Sequence, residues 1–148
     1  PRGGIMISQT TGYALRALAH LSSMAPEERI LAKDLARATE VPEPFLGKIM
    51  RDLGTAGLVN SVRGRGGGYF LDEANKNRKI CDVIATFERM DRFDSCIMGE
   101  AHCPGLRACG LHDWWSKVTS DFRDRINNTT VSEMHHGGNW VSPSSKKD

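Results

Sequence analysis

Five stretches of the chain space their apolar residues as a helix does, and one stretch between the third and fourth reads instead as two short extended segments. Over residues 8–24, Tyr13, Ala14, Leu18 and Leu21 fall on one helical face. Ser8, Thr10 and Thr11 offer N-caps at its start, and Pro26 closes it. Residues 31–38 form a short second helix with Leu31 and Leu35 on its buried side, and no good capping side chain stands at its start. Thr39, Glu40, Val41 and Pro42 make a turn. Pro42 and Pro44 fit that turn and the first turn of a third helix, where a missing N–H costs nothing. The third helix, Glu43 to Ala56, is predicted to turn Phe45, Ile49 and Leu53 inward and Pro44, Lys48, Arg51 and Thr55 outward, with Gly57 capping its end.

Residues 58–62 and 69–71 are β-like and flank the run Arg63-Gly64-Arg65-Gly66-Gly67-Gly68, which reads as a hairpin. Three helices followed by a hairpin is the order of a winged helix-turn-helix. From Lys79 a fourth helix carries Ile80, Val83, Ile84, Phe87 and Met90 on one stripe. A last helix, Leu111 to Asn127, aligns Leu111, Trp115, Val118, Phe122 and Ile126, which suits packing against another helix of the same subunit or of a dimer partner. The expected fold is mainly α with a small β-hairpin wing. Residues 6–78 are expected to form the winged helix-turn-helix, residues 79–134 a loop with dimerisation helices, and residues 135–148 a polar, disordered tail.

Composition narrows the class. The 148 residues, 39% hydrophobic, suffice for one domain of ordinary size or a small domain with an appended arm. No apolar run approaches the ~18–20 residues that cross a bilayer, and no charged-then-apolar leader is present. Pro1 to Gly4 read as appended sequence ahead of Met6, a candidate natural start. Four cysteines without a leader point to a reducing cytoplasm, where clustered thiols bind metal or sense redox more often than they form structural disulfides.

The net charge of +2 is uninformative, but its distribution is not. Lys48, Arg51, Arg63 and Arg65 lie close in sequence with one acid, Asp52, among them. Alone, such a run is equally a solvated basic face; behind a helix-turn-helix pattern it reads as a DNA surface. Lys48 and Arg51 are three apart on one helix face, a spacing that reaches adjacent base edges in the major groove. Arg63 and Arg65, on either side of Gly64, suit phosphates or the minor groove. The expected DNA contacts are Thr11, Lys48, Arg51, Ser61, Arg63, Arg65 and Gly66. The glycines do not make a nucleotide site, because a phosphate-cradling loop lies between a strand and a helix and these join two β segments.

Cys96, Cys103, Cys109 and His112 are separated by six, five and two residues. Structural zinc usually takes close cysteine pairs bracing a tight knuckle, and this spacing is too open for one. It suits a loop, 94–110, draped around something larger than a single ion, such as an iron–sulfur cluster. A zinc site and a cluster-free thiol switch remain the alternatives, and an iron–sulfur electron carrier is the rival from another class. Cys81, on the fourth helix, reads as a small hydrophobe, His102 as solvent-exposed, and Trp114 and Trp115 as core or dimer packing.

The segment from Gly57 to Tyr69, the three-cysteine loop and the run Asn127 to Val131 together resemble the iron–sulfur regulators of the IscR/NsrR family, as does Tyr13 to Leu18. The resemblance spans about residues 6–134. It implies a homodimeric winged-helix transcription regulator, a repressor or an activator rather than an enzyme, acting on a palindromic double-stranded operator. By position, Cys96, Cys103 and Cys109 would ligate the cluster, with His112 as fourth ligand. Other members take a ligand from the partner's first helix, at positions where this chain has Gly12 and Arg16. That difference favours 2Fe–2S over 4Fe–4S. IscR-type members also carry a glutamate on the recognition helix, where this chain has Gly47.

Overall fold

The computed structural model describes residues 7–98 and 109–135, so Cys103, His102 and the tail beyond His135 lie outside the described residues. Three helices come first: α1 (Gln9–Ser23), α2 (Ala32–Thr39) and α3 (Glu43–Thr55). Ser8 caps α1, its hydroxyl accepting the Thr11 N–H. Leu31 precedes α2 without a side-chain cap, and Glu40 ends it in the left-handed conformation. Pro42 and Pro44 open α3, and Gly57, at φ 73°, turns the chain after it.

Ala14, Ala17, Leu18 and Leu21 of α1 pack on Leu35 of α2 and on Leu46, Ile49, Met50 and Leu53 of α3. The two alanines let the helices approach closely. Phe45 is not in this core. Leu46 and Met50 take the inward positions, and the Phe45 ring is 61% exposed.

Strands β1 (Asn60–Val62) and β2 (Gly68–Phe70) pair antiparallel, Ser61 opposite Tyr69. A further antiparallel bridge ties this wing to the segment before α2: Ile30 N–H donates to the Tyr69 carbonyl at 3.1 Å and Tyr69 N–H to the Ile30 carbonyl at 2.8 Å. A Cβ on Gly68, which has φ 143°, would lie 2.7 Å from the Ile30 carbonyl oxygen, so glycine is what allows the approach. The short helix α4 (Glu73–Lys76) follows, capped by Asp72. Four residues carry too little periodicity to be seen in sequence.

Helix α5 (Ile80–Phe87) is shorter than its apolar stripe suggests. Glu88 is extended, with φ −120° and ψ 149°, and Met90 opens a separate 3-10 turn, Met90–Asp94. That turn sends Phe93 into a second small core with Ile84 and Ile126, its ring 4.9 Å from that of Phe122. Half-buried Cys81 packs against the same cluster, where burial pushes its thiol pKa up.

The long helix α6 (His112–Asn128) is buried at its end, through Ile126, and open at its start, where Leu111 is 45% and Trp114 54% exposed. After α6 the chain returns to the first core. Ile80 N–H donates to the Thr129 carbonyl and Val131 N–H to the Arg78 carbonyl, both at 2.9 Å. Val131 is buried there with Val83, so residues beyond 78 share a core with α1–α3. No helix among the described residues is long and apolar enough to cross a membrane.

Candidate nucleic-acid interface and cysteine loop

Lys48 and Arg51 stand exposed on α3, one turn apart on the side away from Leu46, Ile49 and Leu53. Ser61, Arg63, Arg65 and Gly66 are exposed on the wing. A groove lined by Arg51, Thr55, Ser61, Arg63 and Tyr69 joins helix to wing. The ion pairs among the described residues lie elsewhere, leaving these four cationic side chains free of carboxylates. A surface with unneutralised cations on a protruding helix and a hairpin fits phosphates and base edges together.

The tip of the wing is fixed by its own backbone. Gly64 and Gly66 adopt φ 91° and 72°, and a Cβ on Gly67 would lie 2.2 Å from the Val62 carbonyl oxygen. The root is fixed by an amide network. Asn60 accepts from the Asp72 N–H at 2.9 Å and from the Asn75 side-chain amide at 2.9 Å, while its own amide donates to the Asp72 carboxylate at 3.1 Å. Sequence reasoning missed this triad; the polar run after an apolar strand was its signal.

Thr11 does not belong to this surface. Its side chain is fully buried, and its hydroxyl donates to Glu88 Oε1 at 2.8 Å. The same oxygen accepts the Ser8 N–H at 2.6 Å, and the other carboxylate oxygen pairs with Arg92 at 2.7 Å. Glu88, with its side chain only 5% exposed, thus joins the start of α1 to the 3-10 turn that leads into the cysteine loop. Burial raises its pKa, but the hydrogen bonds from Ser8, Thr11 and Arg92 outweigh that and hold it below the usual carboxylate value. Nothing in the local sequence marks Glu88, because its partners Ser8 and Thr11 are some eighty positions away.

Both flanks of the loop are held on α6. On the way in, Trp115 Nε1–H donates to the Ser95 carbonyl at 2.9 Å, and Arg123 pairs with Asp94 and donates to the Phe93 carbonyl. On the way out, His112 N–H donates to the Cys109 carbonyl at 3.1 Å. Cys96 thus directly follows a residue bonded to Trp115, and Cys109 is bonded to the first residue of α6, so each thiol adjoins a segment anchored on that helix. Both are half-buried free thiols; the Met98 N–H lies 3.4 Å from Cys96 Sγ. His112 is half-buried on the first turn of α6. Among the described residues no group of three or more histidine, cysteine or acidic side chains converges as a metal site, and Cys103, the central thiol, lies outside them. The donor set of two anchored thiols, one further cysteine between them and an imidazole suits thiophilic iron.

Gly12 brings no side chain to this chemistry. Arg16 is engaged in the fold: its guanidinium donates to the Thr39 carbonyl at 3.0 Å and lies 5.5 Å from the Tyr13 ring centroid, bracing the turn between α2 and α3.

Comparison with known proteins places these features in one family. A profile of the Rrf2 family, described as iron-dependent transcriptional regulators, matches residues 7–137. The transcriptional regulator NsrR of Bacillus licheniformis is 30% identical over 129 residues, 86% of this chain and 90% of that protein. Among solved structures, IscR of T. potens superposes with a TM-score of 0.65 at 26% identity, covering 88% of this chain and 86% of the other. CymR, the global cysteine regulator of B. subtilis, shares the fold with a TM-score of 0.69 at 22% identity, covering 86% of this chain and 94% of that one. The chain belongs to the Rrf2 family and is a winged-helix, DNA-binding transcription regulator, not an enzyme.

Proposed function

We propose that this regulator is a cytoplasmic homodimer whose occupancy of a palindromic operator, as a repressor, is controlled by an iron–sulfur cluster of the 2Fe–2S type. Cys96, Cys103, Cys109 and His112 would hold the cluster, and residues 6–78 would read DNA. The observation that supports the reading is the anchoring of both loop flanks on α6: the residue before Cys96 is bonded to Trp115, and Cys109 is bonded to the His112 N–H. The relatives named IscR and NsrR support it. When bound, the group supplies a redox-active iron centre ligated by thiolates.

The chain's own part is transmission. The loop begins where Arg92 grips Glu88, Glu88 grips the start of α1, and α1 packs on the recognition helix α3. A change in how residues 95–98 sit thereby bears on how two recognition helices are spaced across an operator. On the DNA side, Lys48 and Arg51 face base edges, while Ser61, Arg63, Arg65 and Gly66 face phosphates or the minor groove.

Anaerobic purification followed by visible absorption and by iron and sulfide analysis tests the reading. A coloured protein with iron and sulfide in equal amounts is expected, and a colourless one with stoichiometric zinc defeats it. His112→Ala is expected to alter the visible spectrum or the reduction potential; an unchanged spectrum moves the fourth ligand elsewhere. The second reading, a thiol switch without a cluster, rests on the free thiols of Cys96 and Cys109. It requires iron-free protein whose DNA binding responds to oxidant and thiol reductant alone.

A further inference from the structure

We infer that Phe45 is a specificity-determining residue that reads the 5-methyl group of a thymine in the major groove. The inference rests on α3 being the reading helix. Phe45 stands in the first turn of α3, where a helix entering the major groove first meets base edges. It is 61% exposed, the one large apolar side chain left in solvent among the described residues of this helix, although Leu46 beside it is fully buried. Nothing in the folded chain rewards an aromatic residue here, since aromatic side chains are weaker helix formers than alanine or leucine and an exposed ring gains little from packing.

The surroundings say what the ring meets. Lys48, one turn on and exposed, brings this flank against the polyanion. Phe45 has no hydrogen-bonding group for a phosphate, and Glu43 and Asp52, exposed on the same helix, repel one. An apolar ring held close to DNA but away from phosphates has one good partner on the base-pair edges of the major groove, the thymine methyl.

The test uses the full chain and a duplex selected by that chain from random sequences, with each thymine replaced in turn by deoxyuridine, which lacks the methyl. Burial of one methyl corresponds to about fourfold in affinity. The wild-type protein is expected to lose about that much at one thymine position of each half-site. Phe45→Ala, at an exposed position and checked for native circular dichroism, is expected to bind the thymine duplex about fourfold or more weakly and to make no distinction at that position. Equal sensitivity in both proteins, or insensitivity of the wild type at every thymine, overturns the inference. Arg51→Ala separates the two levels: if it weakens binding while Phe45→Ala does not, α3 reads DNA and Phe45 takes no part. If neither weakens binding, the reading-helix assignment falls, and the inference with it.

Discussion

At Gly67 the wing closes on itself so tightly that a single added carbon would lie 2.2 Å from the Val62 carbonyl oxygen. Gly67→Ala therefore forces the turn open, at a cost of about 1–3 kcal/mol. Thermal unfolding is expected to shift down and DNA affinity to fall with it, while Gly54→Ala, with open space around its Cβ, is expected to leave the fold stable. The cations around this turn divide by role. Arg51→Ala is expected to lose about 1–3 kcal/mol at a specific site and to relax preference at one base position. Arg65→Ala is expected to weaken all sequences alike and to lower the salt-dependence slope by about 1 per protomer, measured by titration across salt concentrations. Side-chain exposure is readable in the sequence where one helix period decides it, as for Lys48 and Arg51. It was misread where neighbouring apolar residues compete for one inward position: Leu46 took it and Phe45 was left outside. Thr11 was misread for a different reason, since only the fold brings Glu88 to it.

Among the elements, α1, α3, the hairpin and α6 lie where their periodicity put them, because long amphipathic stripes and glycine turns are local signals. The break between α5 and the 3-10 turn was hidden. Met90 continues the apolar stripe, but Glu88 leaves helical geometry to reach Ser8 and Thr11, and a long-range bond writes no pattern nearby. The candidate site follows the same rule. Its cysteine spacing is legible, while the device that anchors its entry flank on α6, Trp115 on the Ser95 carbonyl, is not. Trp115→Phe keeps an aromatic ring, though a smaller one, and removes the donor. It is expected to cost about 1 kcal/mol and to loosen the entry to the loop. Faster amide hydrogen exchange at residues 95–98, with exchange in α1 unchanged, would show the effect to be confined to that element.

For the molecule as a whole, Glu88 is the polar joint between the DNA-binding core and the segment bearing the cysteines. Its folded pKa is lowered, so its contribution to stability is complete above the ordinary carboxylate value of 4.5 and is lost as the pH falls through the lowered value. Glu88→Gln is expected to flatten that acid limb in pH-dependent unfolding. Glu88→Ala, which leaves the Ser8 N–H and Thr11 hydroxyl without their acceptor, is expected to cost about 1–3 kcal/mol at neutral pH. Denaturant unfolding at two pH values separates these outcomes. The bridge between Ile30 and Tyr69 carries a further consequence at this scale. Because the wing's second strand is bonded to the segment before α2, the distance from recognition helix to wing is a ruler set by the segment leading to Ile30, not by the length of the hairpin tip. A one-residue insertion between Glu28 and Leu31 is therefore expected to shift the wing against α3 and weaken DNA binding, although the hairpin's own turn, closed by the Gly67 N–H on the Gly64 carbonyl, is left intact.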